Sequence, residues 1–454
     1  MLLSLRRLPF GPVRDRREGR CRWLALGLAL LPLPAAAQDD PSPEPQAWAV
    51  HGQATLVAQG VGGFRSDATG PNSLAPRQFR ETIDATLYAG VSPWAGAELW
   101  VNPEVDQGFG LSDTLGVAGF PSAEAYKVGK AHPYLRLQRL FLRQTIGLGG
   151  GTTAVAAAPN QLAGRVADNR VVLTIGKFGV GDVFDTNRYA HDPRGDFLNW
   201  SLVDTGSFDY AADAWGYSTG AAAEWYTGRW TLRAGAFNLS RVPNGETLER
   251  DFGQNQLVAE IEHRHRLAGQ PGAVRVTLFR NRGRFGRFDD ALALAGAGRA
   301  PDTAQVRRVT TRAGMAINLE QQLGDQLGLF ARAGFADPAV EPYDFTDIDR
   351  SLALGLALGG KGWGRSQDRI GLAGVVNAIG ATHQRYLAAG GIGVLVGDGS
   401  LARPGDEAIV EAYYDWQPRR GIDLSLDYQH VANPGYNRDR GPANVVALRL
   451  HGGF

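Results

Sequence analysis

The sequence predicts an all-β fold, a transmembrane antiparallel β-barrel of about 16 strands with short periplasmic turns and long extracellular loops. Three observations predict it. A secretory signal opens the chain, period-two alternation of apolar and polar residues runs through most of the remaining residues, and the connections alternate between short and long. After the signal no apolar run approaches the roughly 20 residues that a spanning helix needs. A chain of this kind in a membrane must cross it as strands, because only helices and closed barrels satisfy every backbone group in lipid.

Residues 1–37 read as the signal peptide. Arg6, Arg7, Arg14, Arg16, Arg17, Arg20 and Arg22 precede the apolar stretch from Trp23 to Pro34, and Ala35-Ala36-Ala37 supplies the small residues of a cleavage site, so the mature chain is expected to begin at Gln38. The apolar stretch, about a dozen residues, is too short for a membrane anchor. The single cysteine, Cys21, lies inside the signal and lacks the small residues that would precede it in a lipoprotein site. A disulfide framework is therefore excluded for the mature chain. Loss of the signal removes seven Arg against Asp15 and Glu18, which moves the formal charge from +1 to −4 and leaves no basic surplus for nucleic acid. Residues 38–47, with Asp39, Asp40, Pro41, Pro43 and Pro45, read as a periplasmic spacer, and the barrel is expected to occupy 48–454.

The strands follow from alternation. Val50, Ala54 and Leu56 oppose His51, Gln53 and Thr55; Ala313, Met315, Ile317 and Leu319 oppose Arg312, Asn318 and Glu320; Ile422, Leu424, Leu426 and Tyr428 oppose Asp423, Ser425, Asp427 and Gln429. Sixteen such segments centre near residues 53, 87, 101, 142, 174, 219, 235, 261, 277, 314, 331, 355, 373, 411, 426 and 448. Short turns are expected at 92–96, 227–229, 267–271, 322–325, 361–368 and 417–420, between longer connections such as 59–81, 106–135, 179–212, 283–307 and 378–404. The Gly/Ala-rich stretch 148–169 breaks this rhythm and predicts a periplasmic excursion or a miscounted strand. The last segment places Val446, Leu448, Leu450, Gly452 and Phe454 on one face, so the terminal Phe454 reads as the signal for the barrel-insertion machinery. Trp48, Trp225, Tyr226, Trp230, Tyr414 and Trp416 fall at strand ends, where aromatic girdles belong.

Several motifs resemble catalytic or metal chemistry but lack its context. Gly216 to Gly220 matches G-x-S-x-G, yet falls in a strand and not at a strand-to-helix turn. His263 and His265 share one side of a strand without a third ligand nearby. The Gly-Lys pairs at 129–130, 176–177 and 360–361 are not followed by Ser or Thr, so no phosphate loop is present. No catalytic residue, metal or cofactor is expected.

The informative wall runs from Arg80 to Thr145. With Ile83, Ala85 and Leu87 toward lipid, Arg80, Asp84, Thr86 and Tyr88 point into the lumen; Glu98, Trp100, Asn102 and Glu104 do so on the next strand, and Arg139, Phe141 and Arg143 on the fourth. A sugar is neutral, densely hydroxylated and apolar only on its ring faces, so its passage calls for paired charged hydrogen-bonding groups and an aromatic surface. Any water-filled barrel also has a charged lumen, and the bare pattern suits both readings equally.

The runs Glu81–Tyr88 (ETIDATLY), Ala97–Glu104 (AELWVNPE), Gly108–Pro121 (GFGLSDTLGVAGFP) and Phe141–Thr145 (FLRQT) resemble the OprB-type carbohydrate-selective porins, as do Glu411–Tyr414 (EAYY), Asp427–Gln429 (DYQ), Ala432–Pro434 (ANP) and Asn437–Pro442 (NRDRGP). The resemblance spans essentially the whole mature chain. It implies a 16-stranded outer-membrane barrel that admits glucose-like sugars passively, with Arg80, Asp84, Glu98, Trp100, Asn102, Glu104, Arg139 and Arg143 contributing to a channel eyelet narrowed by an inward fold of 106–135. Permeating sugars, outer-membrane lipid and lipopolysaccharide, and the insertion machinery are the expected partners; monomer and homotrimer stand equally open. The arginines around Arg280, Arg282, Arg284 and Arg287 suit lipopolysaccharide phosphates, acidic sugars or plain solvation. A general or anion-preferring porin, an enzyme barrel with a Ser-His pair at its rim, and a plugged structural or adhesive barrel are the competing functions.

Overall fold

Alternation of apolar and polar side chains becomes sixteen antiparallel strands in a computed structural model that describes residues 44–67, 69–125, 127–296 and 298–454. The expected signal peptide and residues 38–43 of the spacer lie outside the described residues. The strands are β1 Trp48–Val61, β2 Gln78–Val91, β3 Ala97–Gly108, β4 Lys130–Val155, β5 Gly164–Phe178, β6 Ser218–Thr227, β7 Trp230–Asn238 and β8 Asn255–Leu267. They continue as β9 Gln270–Phe285, β10 Arg308–Gln322, β11 Leu327–Ala336, β12 Arg350–Gly359, β13 Arg369–Ala378, β14 Glu407–Arg419, β15 Ile422–Ala432 and β16 Ala443–Gly453. Every expected centre falls inside one of them. Each strand pairs with its chain neighbours, and β1 closes on β16 from Gln53 opposite Gly453 to Val61 opposite Val445. The backbone of Phe454 exchanges bonds of 3.0 and 3.2 Å with Gly52, so pairing continues to the last residue. Among the described residues closure leaves no strand of the barrel wall without a partner on either side.

One face of the wall meets lipid. On β12, Leu352, Leu354, Leu356 and Leu358 stand exposed on the outside while Ser351, Ala353 and Ala357 are buried on the inside. Trp48, Trp94, Trp225, Trp230 and Trp416 are exposed at the periplasmic ends and form a girdle there. Tyr226 does not join it. Its register partner on β5 is Arg170, whose guanidinium lies 3.9 Å from the Tyr226 ring, and its hydroxyl donates to Glu224, so it faces inward.

The stretch 148–169 is neither a tight turn nor an extra strand. β4 and β5 run on as a paired ribbon to Val155 opposite Gly164, with register shifts around Gly149. The turn at its end then folds back onto the wall: Arg143 Nη1 donates to the Asn160 carbonyl at 2.7 Å, Asn102 Nδ2 donates to Asn160 Oδ1 at 2.9 Å, and the Leu162 amide donates to Glu98. Gln46 is tied to the same turn through Ala163. A further irregularity, a bulge between Asn102 and Pro103, places Arg139 opposite Asn102 and Leu137 opposite Pro103. Without it, Leu135 and Leu137 would be carried inward; both are exposed on the lipid side.

The interior is filled by loops. Residues 109–129 turn inward, with Val117, Ala118, Phe120 and Pro121 buried. A longer loop, 179–217, enters from the same end of the barrel and buries Phe184, Phe197, Leu198, Trp200, Leu202 and Phe208. The belt of leucines sets a test: Leu354→Arg, on the lipid face near mid-strand, should destabilise the barrel by about 2–4 kcal/mol, read from denaturant-dependent refolding into phospholipid vesicles.

Candidate functional site

The inserted loops are held by wall side chains remote in sequence. Arg312 of β10, fully buried, bridges Asp209 of loop 179–217 and Asp349 of loop 337–349, each at 3.0 Å. Arg332 of β11 donates to the carbonyls of Leu202 and Ala190 at 2.6 and 2.7 Å, and Arg449 of β16 to those of Pro193 and Asp196 at 2.5 and 2.8 Å. Carboxylates grip loop amides in the same way. Glu411 accepts from Leu198 and Asn199, Glu260 from Asp185, and Glu407 from Ala118, Gly119 and Gly435. A charge taken out of water is tolerable only with such partners.

Held in this way, loop 179–217 projects Arg194 toward β2 and β3. Its guanidinium lies 3.4 Å from Asp84, 3.9 Å from Glu104 and 3.4 Å from Glu124 of loop 109–129. Burial pushes the Glu124 carboxyl well above the usual carboxylate range, and the Arg194 charge pulls it back only in part. Glu104 also accepts from Thr86 at 2.5 Å and from Gln138 at 3.1 Å. The neighbouring β4 presents a column of guanidinium groups. Arg139 pairs bidentately with Asp182 at 2.6 and 2.8 Å, Arg136 approaches Asp213 at 3.4 Å, and Arg143 lies 3.9 Å from Glu98. Burial alone would raise the Asp182 carboxyl, but the charge and hydrogen bonds of Arg139 hold it below its ordinary value. Carboxylates of β2 and β3 thus face guanidinium groups of β4 and of the inserted loop.

Of the residues expected at an eyelet, Asp84, Glu104 and Arg139 take part in this cluster. Glu98, Asn102 and Arg143 point inward nearer the periplasmic end, where they engage the turn 156–163. Two positions depart from expectation. Arg80 has the inward parity but sits exposed at the extracellular end, its guanidinium donating to the Phe79 carbonyl at 3.0 Å. Trp100 is fully buried: its indole lies flat on Gly90, where an added Cβ would come within 2.6 Å of the ring, and its Nε1 donates to Glu98 at 2.8 Å. It therefore offers no open aromatic face.

The opposite wall carries a second ladder. Arg233 bridges Glu224, Glu260 and Glu262 at 2.7–3.0 Å, and Arg275 bridges Glu262 and Glu320 at 3.0 and 3.1 Å. Beneath it opens a cavity of about 330 Å³ lined by Arg188, Tyr189, Glu262, Arg264, Arg275 and Glu320. Arg188 and Tyr189 line a second cavity, of about 180 Å³, with Arg369. Tyr189 lies against Gly328, where a Cβ would meet its ring at 2.0 Å. Its half-buried ring is an aromatic surface bordered by guanidinium groups.

The catalytic look-alikes are used structurally. Ser218 is buried and donates to the carbonyl of Asn238 at 2.6 Å, His263 packs at a tilt against Trp230 with ring centroids 4.3 Å apart, and His265 pairs with Gln321 at 2.9 Å. Arg194, Glu124, Asp182 and Tyr189 escape a reading by strand alternation because they lie in loops. The signal that could find the loop is its density of large apolar residues between Phe197 and Trp200, which an exposed connection would not keep in water.

Residues 72–454 match the family described as "Carbohydrate-selective porin, OprB family". The chain belongs to this family. It is an outer-membrane β-barrel and a sugar channel, and its family and fold are those of channel proteins. The structure of Pseudomonas putida OprB at high pH is similar with a TM-score of 0.66 at 16% identity, covering 90% of this porin and 94% of that chain. The low-pH structure of the same protein gives 0.48 at 12% identity, covering 90% and 93%, and the DcaP channel of Acinetobacter baumannii 0.49 at 12%, covering 90% and 97%. No curated protein matches the chain. The grip on the inserted loop is open to test: Arg312→Ala removes the guanidinium that joins Asp209 to Asp349 in the interior of this porin, leaving Asp209 to the amides of Tyr343 and Asp344 and Asp349 to His383 and the Gly380 amide. It should cost about 3–5 kcal/mol, seen as a lower unfolding midpoint and as faster proteolysis within 179–217 of the refolded protein.

Proposed function

We propose that this porin passes glucose-like sugars passively, with no energy input, through an eyelet where Arg194 meets the carboxylates of Asp84, Glu104 and Glu124 beside the guanidinium column of β4. The observation that carries the reading is that one loop guanidinium within 4 Å of four carboxylates, Asp192 of its own loop among them, faces a wall holding further charge pairs. Balanced pairs offer donors and acceptors to hydroxyl groups without the strong net field that selects ions. Glu98, Asn102 and Arg143 serve the same path lower down and position the turn 156–163. Tyr189 supplies the aromatic surface that Trp100 does not, beside the guanidinium groups of Arg188 and Arg264. Each contact is weak by design, since a tight site would hold the sugar and stop flux. Lipid and lipopolysaccharide surround the barrel, and the terminal strand through Phe454 is read by the insertion machinery.

Swelling of liposomes that contain the refolded protein tests this reading. Glucose should enter faster than a non-sugar solute of similar size, and Arg194→Ala should reduce that preference by about three- to ten-fold while leaving Trp100→Phe near the unchanged protein. Equal entry of both solutes into liposomes carrying the unchanged protein would sink the selective reading in favour of a general pore. A second comparison, Tyr189→Ala, should weaken the preference for glucose without altering entry of the non-sugar solute.

A further inference from the structure

The arginines near residue 280 lie on a strand, not in a loop. β9 continues to Phe285, and its phase is fixed from within: Thr277 and Asn281 are fully buried, Thr277 donating to Glu260 and Asn281 to the Asp209 carbonyl, both at 2.7 Å. Their alternates must face out. The outward positions toward the extracellular end read Leu278, Arg280, Arg282 and Arg284, all exposed. An aliphatic face thus turns into a column of three guanidinium groups within one strand.

Height decides where that column stands. A strand rises about 3.4 Å per residue, and at the tilt of such barrels this becomes about 2.5 Å along the membrane normal. Arg280 then sits about 5 Å above Leu278 and Arg284 about 15 Å above it. On the strands beside it the partners of Arg280 are Leu257 on β8 and Ala313 on β10, those of Arg282 are Asn255 and Thr311, and Val309 stands opposite Arg284, so the continuous apolar face ends at the level of Arg280. The column begins where hydrocarbon gives way to headgroups. Among the described residues no carboxylate pairs with it: Asp289 is engaged by Arg385 at 2.9 Å and Asp290 by Arg308 at 2.6 Å, while Arg282 donates only to the Gly253 carbonyl.

We infer that Arg280, Arg282 and Arg284 form a binding site on the outer face of the barrel for the phosphate groups of an anionic glycolipid of the outer leaflet. The inference rests on the outer-membrane location and is independent of the lumen. Guanidinium groups two residues apart on one strand face stand about 7 Å from one another, so they can engage separate phosphate groups bidentately. Arginines turned toward the lipid without a carboxylate beside them fit a fixed anionic headgroup at that depth. Arginines serving a permeating acidic sugar would point into the lumen.

The test is binding of diphosphoryl lipid A in detergent micelles to the refolded full chain and to the triple variant R280Q, R282Q, R284Q, both confirmed folded by heat-modifiable electrophoretic mobility. Loss of three surface cations should weaken binding by about a hundred-fold. Dephosphorylated lipid A should bind both proteins equally weakly, and inorganic phosphate should not displace the lipid. Undiminished binding of diphosphoryl lipid A by the triple variant overturns the proposal, as does displacement by inorganic phosphate at equal concentration. Glucose-driven swelling should be the same for both proteins, so a failure of the lipid site is separable from a failure of the sugar channel.

Discussion

The interior of this barrel depends on charged side chains of the wall that are buried and satisfied by the backbone of inserted loops. Arg312, Arg332 and Arg449 are at most 1% exposed, and each reaches a partner on loop 179–217. Glu260 and Glu411 do the same with amide donors of that loop, and Glu407 with those of Ala118 and Gly119 on loop 109–129. A lumen wall facing water could leave these groups solvated. Once a loop displaces the water, every wall charge must meet a donor or acceptor of the loop, and every loop amide removed from water must meet the wall. The two requirements are mutual, and together they hold in one place a long connection whose regular structure is limited to the short helical turns 180–182 and 200–203.

That mutual satisfaction has a functional side. Arg194 is useful because it is held, and what holds it is the run of bonds from Pro193 to Asn199 onto β14 and β16. Its own charge is shared among several carboxylates and committed to none, with distances of 3.4 to 3.9 Å and no closer contact to any of them. A hydroxylated solute passing such a group can exchange one acceptor for another at little cost. The tight bidentate geometry of Arg139 with Asp182 is the contrasting case, a pair that also fixes the loop against β4.

How far the sequence is legible depends on the range of the interactions involved. Strand position and facing are local consequences of alternation, and Leu352 to Leu358 or Ile83 to Leu87 can be assigned without any knowledge of the rest. The wall residues Asp84, Glu98, Asn102, Glu104, Arg139 and Arg143 are legible for the same reason. Alternation states which way a side chain points, not what lies over it. Arg80 has inward parity but is exposed and bonds only its neighbour's carbonyl among the described residues, and Trp100 points inward beneath a covering cluster that includes Tyr88, Phe141 and Leu162. The partners of Arg312 lie 103 and 37 residues away, and no local pattern joins them. The ribbon at 148–169 is a further case, since only its contacts with Asn102 and Glu98 reveal that its turn folds back.

The closure of β1 on β16 has a kinetic consequence. Fifteen of the sixteen seams join strands adjacent in the chain and can zip as hairpins, whereas the last seam brings together the two ends of the barrel. Forming that seam from a disordered chain would cost about 5 kcal/mol in loop-closure entropy, and contact order of this kind slows folding. A growing sheet lowers the cost because its curvature carries the ends toward each other. Until they meet, both outer strands expose unpaired amides and carbonyls along their full length, which makes the nearly finished barrel the species most prone to pair with a neighbour.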